Sequence, residues 1–202
     1  MTRAAVLGLL FLLSSCTALS PAPTFEDSDY QQKLRTLDTW SLRGRLNIRS
    51  GNNSNTININ WQQDNAAFEI NLSGTLGLGA VRLSGNQQRV LVEKAGEDPV
   101  MAGSLAALGS EILGYAFPAN ELLYWIRGLA APGSRPQFTY DADGLVATLS
   151  QADGGGRVWE LQYDRYRNVQ GYYLPGRLRL EQSPYRLTFL IADWDLPVAT
   201  QP

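Results

Sequence analysis

Between Trp40 and Ile191 the apolar residues recur at every second position in one segment after another, with a single interruption. Trp40, Leu42, Leu46 and Ile48 alternate with Arg43, Arg45, Asn47 and Arg49. After a GNNSN turn at 51–55, Ile57, Ile59 and Trp61 alternate with Asn58, Asn60 and Gln62. A period of two sends successive side chains to opposite faces of a strand, so each segment has one apolar and one solvated face. Gly44 is the small residue on the apolar side, where a bend or a close approach is expected. Phe68, Ile70 and Leu72, then Val81 and Leu83, then Val90 and Val92 continue the pattern, which predicts an antiparallel meander of five strands joined by hairpins. Further strands are predicted near 137–140, 145–151, 158–163, 177–182 and 185–191, separated by DADG, DGGG and SP turns.

The interruption runs from Met101 to Gly128. It is rich in Ala and Leu, with Leu105, Leu108, Ile112 and Tyr115 at helical spacing and Trp125 further on; Pro118 divides it into two helices. A weaker helical pattern covers Tyr30 to Leu37, and APGSRP at 131–136 reads as a loop. Ten or eleven short strands with one helical pair predict a mainly β domain over 30–196, followed by a tail at 197–202. A closed membrane barrel is disfavoured, because strands with Arg and Asn on one face have no continuous lipid-facing band. The expected form is a strongly curved antiparallel sheet whose apolar concave face is covered by the central helices. Such a sheet encloses either a filled core or a ligand cavity, and the sequence leaves both open.

Composition excludes several functions. With 202 residues, 44% of them hydrophobic and 18% charged, the chain suits one globular domain. Its formal charge of -2 offers no overall basic field to a phosphate backbone, so no nucleic-acid partner is expected. Histidine is absent, which removes the usual general base near neutral pH and the commonest metal ligand. Asp193 and Asp195 flank Trp194 near a strand end without partner carboxylates, and Asp141 and Asp143 belong to a turn in which aspartate bonds its own backbone. SGTLGLG at 73–79 has three glycines, but neither a GK[ST] nor a following helix, so it is not a phosphate loop. No catalytic residue, metal or cofactor is expected. A periplasmic hydrolase is the least supported reading.

The N-terminus has the three-part plan of a secretory signal over 1–15: Arg3, an apolar run from Ala4 to Leu13, then Ser14 and Ser15. The run is too short to span a bilayer, which takes roughly 20 residues. LSSC at 13–16 resembles the bacterial lipobox, which implies cleavage before Cys16 and lipidation of that residue, the chain's one cysteine. The alternative is a stray thiol in an oxidising compartment. Residues 16–29, rich in Pro, Ser and acid, read as a lipidated cysteine and flexible tether reaching roughly 40 Å from a membrane surface. Thr17 stands where an aspartate is associated with inner-membrane retention, so the outer membrane is the expected address.

Trp40 with LRGRLNI, WQQ at 61–63, LSGTLGLGAVRL at 72–83, YWIRGLAAPG at 124–133, LPGRLRL at 174–180 and LTFLIADWDL at 187–196 together resemble the LolB family of outer-membrane lipoproteins. The resemblance spans nearly the whole chain after Cys16, in order. It implies an unclosed barrel of eleven strands with a helical lid, anchored as a monomer on the periplasmic face of a Gram-negative outer membrane. It further implies that lipoproteins come from the soluble periplasmic carrier LolA, that a hydrophobic cavity holds their acyl chains, and that they pass to outer-membrane lipid without catalysis. The family's protruding-loop leucine falls on Leu76, within G-T-L-G, where many relatives have a proline before the leucine; Leu78 is a second apolar residue at the tip. Both are expected to touch the membrane. Parity proposes the cavity lining: Leu42, Leu46, Ile48, Ile57, Ile59, Trp61, Phe68, Ile70, Leu72, Leu180, Phe189 and Ile191 on the sheet, with Leu105, Leu108, Ile112 and Trp125 on the lid. The alternative is a lipid-anchored scaffold for envelope assembly, with a filled core.

Overall fold

A computed structural model describes residues 28–74, 79–113 and 117–197. Helix α1 (Ser28–Arg35) leads into a run of strands: β1 (Thr39–Ser50), β2 (Asn53–Asp64), β3 (Ala67–Gly74), β4 (Val81–Gly85), β5 (Val90–Lys94) and β6 (Val100–Ala102). Helices α2 (Leu105–Leu113) and α3 (Ala119–Trp125) follow. The remaining strands are β7 (Gln137–Tyr140), β8 (Val146–Ala152), β9 (Val158–Asp164), β10 (Arg167–Val169), β11 (Tyr172–Leu174), β12 (Arg177–Gln182) and β13 (Tyr185–Asp195).

Eleven strands form one antiparallel sheet in the order β6-β5-β4-β3-β2-β1-β13-β12-β9-β8-β7, and β10 and β11 make a separate hairpin. The sheet is unclosed, with β6 and β7 as its two edges. The first and last strands meet in its middle. Register places apolar residues opposite one another: Leu42 faces Trp61, Leu46 faces Ile57, Ile59 faces Leu72 and Ile70 faces Leu83. Alternation along each strand is thereby converted into one continuous apolar face.

Gly44 marks where the seam between β1 and β13 bends, for the register shifts between Arg43 and Gly44. A Cβ at Gly44 would lie 2.2 Å from the Leu190 carbonyl oxygen. No other residue fits that approach. All five tryptophans are buried. The Trp40 ring lies 5.1 Å from that of Trp61 and 5.4 Å from that of Trp194, and Trp125 lies 6.3 Å from Trp159. These tilted and edge-on contacts suit aromatic quadrupoles, and they tie the β1–β13 seam and the lid to the sheet.

Three features differ from expectation. Residues 53–55, expected in a turn, open β2, because a two-residue turn at 51–52 closes the hairpin. Met101, expected in the helical segment, belongs to edge strand β6. The β10–β11 hairpin is unforeseen; its strands of three residues are too short to establish a period.

Candidate functional site

The inner faces of β1 to β4 converge beneath α2, where the packing leaves an apolar cavity of about 90 Å³. Ten residues proposed by parity line it: Leu46, Ile48, Ile57, Ile59, Trp61, Ile70, Leu72, Phe189, Leu105 and Leu108. Five others, Leu42, Phe68, Trp125, Leu180 and Ile191, are buried in the close-packed core outside that space. The physical reason is simple. Parity assigns a side chain to a face but does not tell how closely a helix packs over it. Ile112 lies in α2, but its side chain is outside the described residues, as are Cys16, Leu76 and Leu78.

Sequence reasoning passed over Val81, Leu83, Leu122 and Phe117, and the small residues Ser73, Gly74, Gly79 and Gly109, all of which line the space. Val81 and Leu83 carried the right alternation. The glycines carried no apolar signal, yet they shape the wall by leaving room: a Cβ at Gly109 would lie 2.8 Å from Phe117 Cδ1. Ser73, Gly74 and Gly79 flank residues 75–78, so the root of that segment is also the wall of the cavity.

The lid helices are held differently. Trp125 Nε1 at the end of α3 donates to Gln151 Oε1 on β8 at 2.7 Å, and the Ala131 amide donates to the same oxygen at 2.9 Å. Gln151 Nε2 donates to the carbonyls of Ala131 and Ser134 at 2.8 and 2.9 Å. The buried amide is thus fully bonded, as burial demands. At the other end of α3, Glu121 Oε1 accepts from the Gly154 amide at 2.7 Å.

Asp153 orders that β8–β9 turn. Burial alone would raise its carboxyl, but hydrogen bonds from Trp159 Nε1, the Arg157 amide and the Arg157 guanidinium outweigh burial and hold it below the usual carboxylate range. It stays ionised at neutral pH. Just beyond α3, the buried Arg127 donates to the carbonyls of Leu34, Leu37 and Leu123, clamping α1 to the lid. By contrast, the side-chain hydrogen bonds of α2 among the described residues are local. Ser104 Oγ accepts from the Ala107 amide at 3.1 Å, and Ser110 Oγ donates to the Ala106 carbonyl at 2.8 Å and accepts from the Phe117 amide at 3.3 Å.

Two of the four carboxylates considered for chemistry, Asp193 and Asp141, have structural partners. Arg43 pairs with Asp193 at 3.3 Å on the exposed face, and Asp141 Oδ1 accepts from the amides of Asp143 and Leu145. Among the described residues no group of three His, Cys, Asp or Glu side chains is placed to hold a metal ion. What the arrangement offers is apolar enclosure under a helix whose described residues Leu105 and Leu108 face the cavity.

Residues 38–194 match the sequence model of the family described as "Outer membrane lipoprotein LolB". The outer-membrane lipoprotein LolB of Pseudomonas aeruginosa is 38% identical over 192 residues, covering 92% of this chain and 91% of that protein. That of Stutzerimonas stutzeri is 36% identical over 193 residues, with 92% and 91% covered. Among solved structures, a LolA superfamily protein from Nitrosomonas europaea superposes with a TM-score of 0.55 at 11% identity, over 84% of this chain and 92% of that one. A putative outer membrane lipoprotein-sorting protein domain from Vibrio parahaemolyticus gives a TM-score of 0.52 at 8% identity, over 85% and 92%. At such identities the likeness concerns the fold, an open sheet curved around helices.

Proposed function

The chain belongs to the outer-membrane lipoprotein LolB family, and from that premise we propose that it is a lipid-anchored receptor that takes lipoproteins from the periplasmic carrier LolA and inserts them into the outer membrane. The observation that carries the reading is the cavity beneath α2, whose lining residues include no charged side chain. Acyl chains are held there by apolar burial, at roughly 0.8 kcal/mol per methylene. Cys16 carries the anchor, residues 16–29 form the tether behind a signal peptide at 1–15, and Leu76 with Leu78 meets the bilayer. Transfer needs no nucleotide. It proceeds because free energy falls when each acyl chain moves from carrier to receptor and falls again when it moves from receptor to bilayer.

The volume of about 90 Å³ bears on how this works. An engineered apolar cavity of about 150 Å³ binds ligands the size of benzene or xenon, so a whole acyl chain enters only when α2 lifts. The same small volume favours a second reading, a lipid-anchored assembly scaffold with a filled core, in which α2 never moves.

Leu76→Glu tests delivery. The variant keeps its thermal midpoint and still accepts lipoprotein from the carrier, but its transfer to vesicles falls by roughly tenfold or more, since one buried leucine is worth about 1.5–3 kcal/mol. Unchanged transfer would remove the membrane role of the 75–78 segment.

A further inference from the structure

Charge on the outer face of β1 to β3 is divided along the strands, whereas further across the sheet Glu181 and Glu160 share the row of Arg49 and Arg186. On β2 and β3 the carboxylates, Asp64 and Glu69, lie toward the end where these two strands are joined, and Asp193 and Asp195 lie toward that same end of β13. The opposite end holds the β1–β2 turn and Gly74, the last described residue before the 75–78 segment, which pairs with Ile57. There the outward positions on β1 and β2 are Arg45, Asn47 and Arg49, and Ser54, Thr56 and Asn58. They include two cations and no carboxylate.

These cations are not arranged for the stability of the sheet. Arg49 stands directly opposite Arg186 in the β1–β13 register, and like charges so placed are destabilising. Arg186 turns to Glu181 at 2.7 Å, and Arg43 to Asp193 at 3.3 Å. Arg45 and Arg49 are exposed, and among the described residues neither has an ion-pair or hydrogen-bond partner. Four residues apart on one strand, they sit about 13 Å from each other. One carboxylate does not bridge that span, whereas an extended array of anions meets both.

We propose that this arginine face of β1 and β2 is a docking surface for an anionic lipid bilayer, with Arg45 and Arg49 taking headgroup phosphates and Asn58 offering a further hydrogen bond. A guanidinium presents a planar fork of donors suited to phosphate. The face lies two strand spacings, about 10 Å, from the root of the 75–78 segment, so both meet one membrane. The proposal rests on the membrane-facing role of that segment and goes beyond it by fixing which side of the sheet turns to the bilayer and which lipid charge it prefers.

The test uses the full chain carried on vesicles by its own N-terminal anchor. A fluorophore is attached at Asn53→Cys, beside the patch, or at Gln87→Cys, at the other end of the sheet, with an acceptor dye on the lipid headgroups. Vesicles are phosphatidylcholine alone or with a third of phosphatidylglycerol. Energy transfer from position 53, but not from 87, rises on adding phosphatidylglycerol, and in R45E/R49E it returns to the phosphatidylcholine level. The ratio of docked to undocked domain falls by roughly fivefold per arginine neutralised, as in R45Q/R49Q; thermal melts check that the variants are folded.

Equal transfer in the two vesicles, or a rise that survives R45E/R49E, overturns the proposal. So does an arginine-dependent association with the purified carrier but not with anionic vesicles, which would make the patch a protein-docking site. Lipoprotein delivery by Leu76→Glu is measured on the same vesicles, so failure of the delivery reading is visible separately from failure of the arginine face.

Discussion

Arg127 is a buried cation for which no carboxylate partner exists among the described residues. Burial lowers its pKa to about 10, which leaves it charged at neutral pH. Its guanidinium, 6.0 Å from the Trp40 ring, donates to the carbonyls of Leu34 and Leu37 at the end of α1, where a cation also suits the helix dipole. Arg127→Met keeps much of the volume but strands those carbonyls, so urea unfolding should show a loss of about 2–4 kcal/mol. Arg127→Lys should recover only part of it, because a point charge does not reproduce the fork. A full recovery would mean that charge alone holds α1. Nothing in the local sequence signals this clamp, since Arg127 and Leu37 are 90 residues apart. Local pattern reaches only as far as the strand itself: it put Leu46 and Leu42 on one face, but only the helix above decides that Leu46 touches the cavity and Leu42 does not.

At the scale of elements, the lid is two helices with different duties. Gln151 and Glu121 fix α3 to β8 and to the β8–β9 turn, while among the described residues the side-chain hydrogen bonds of α2 stay within its own neighbourhood. Opening should therefore lift α2 and leave α3 seated. Amide hydrogen exchange checks this directly: adding a fluorescent fatty acid should change protection over 105–113 and leave 119–125 unaltered, and the probe should remain with the protein. No retention and no change in α2 would favour the filled scaffold. The existence of both helices was legible from spacing and from Pro118. Their unequal attachment was not, because it depends on one buried glutamine, Gln151, in a strand that otherwise alternates normally.

At the scale of the molecule, the N-terminal meander was readable strand by strand, because hairpin neighbours are neighbours in sequence. The pairing of β1 with β13 was not, for Arg43 meets Asp193 across 150 residues of chain. Contacts of such separation form slowly, since the closure entropy comes before the reward. In pulse-labelled exchange during refolding, β1 and β13 amides at the seam should gain protection together in the slowest phase, after the β2–β3 and β3–β4 hairpins. Early protection of the seam would show that the two ends of the chain nucleate the fold.

That seam divides the sheet into β1–β6 on one side and β13, β12, β9, β8 and β7 on the other, with the free edges β6 and β7 lying adjacent in sequence on either side of the helices. The described parts of 103–136, α2 and α3 among them, thus lie between one edge and the other, as a string joins the two tips of a bow. Such a string limits how far the bow can flatten. Under the proposed receptor function, room for a cargo would be gained by plucking the string at α2 while the bow keeps its bend.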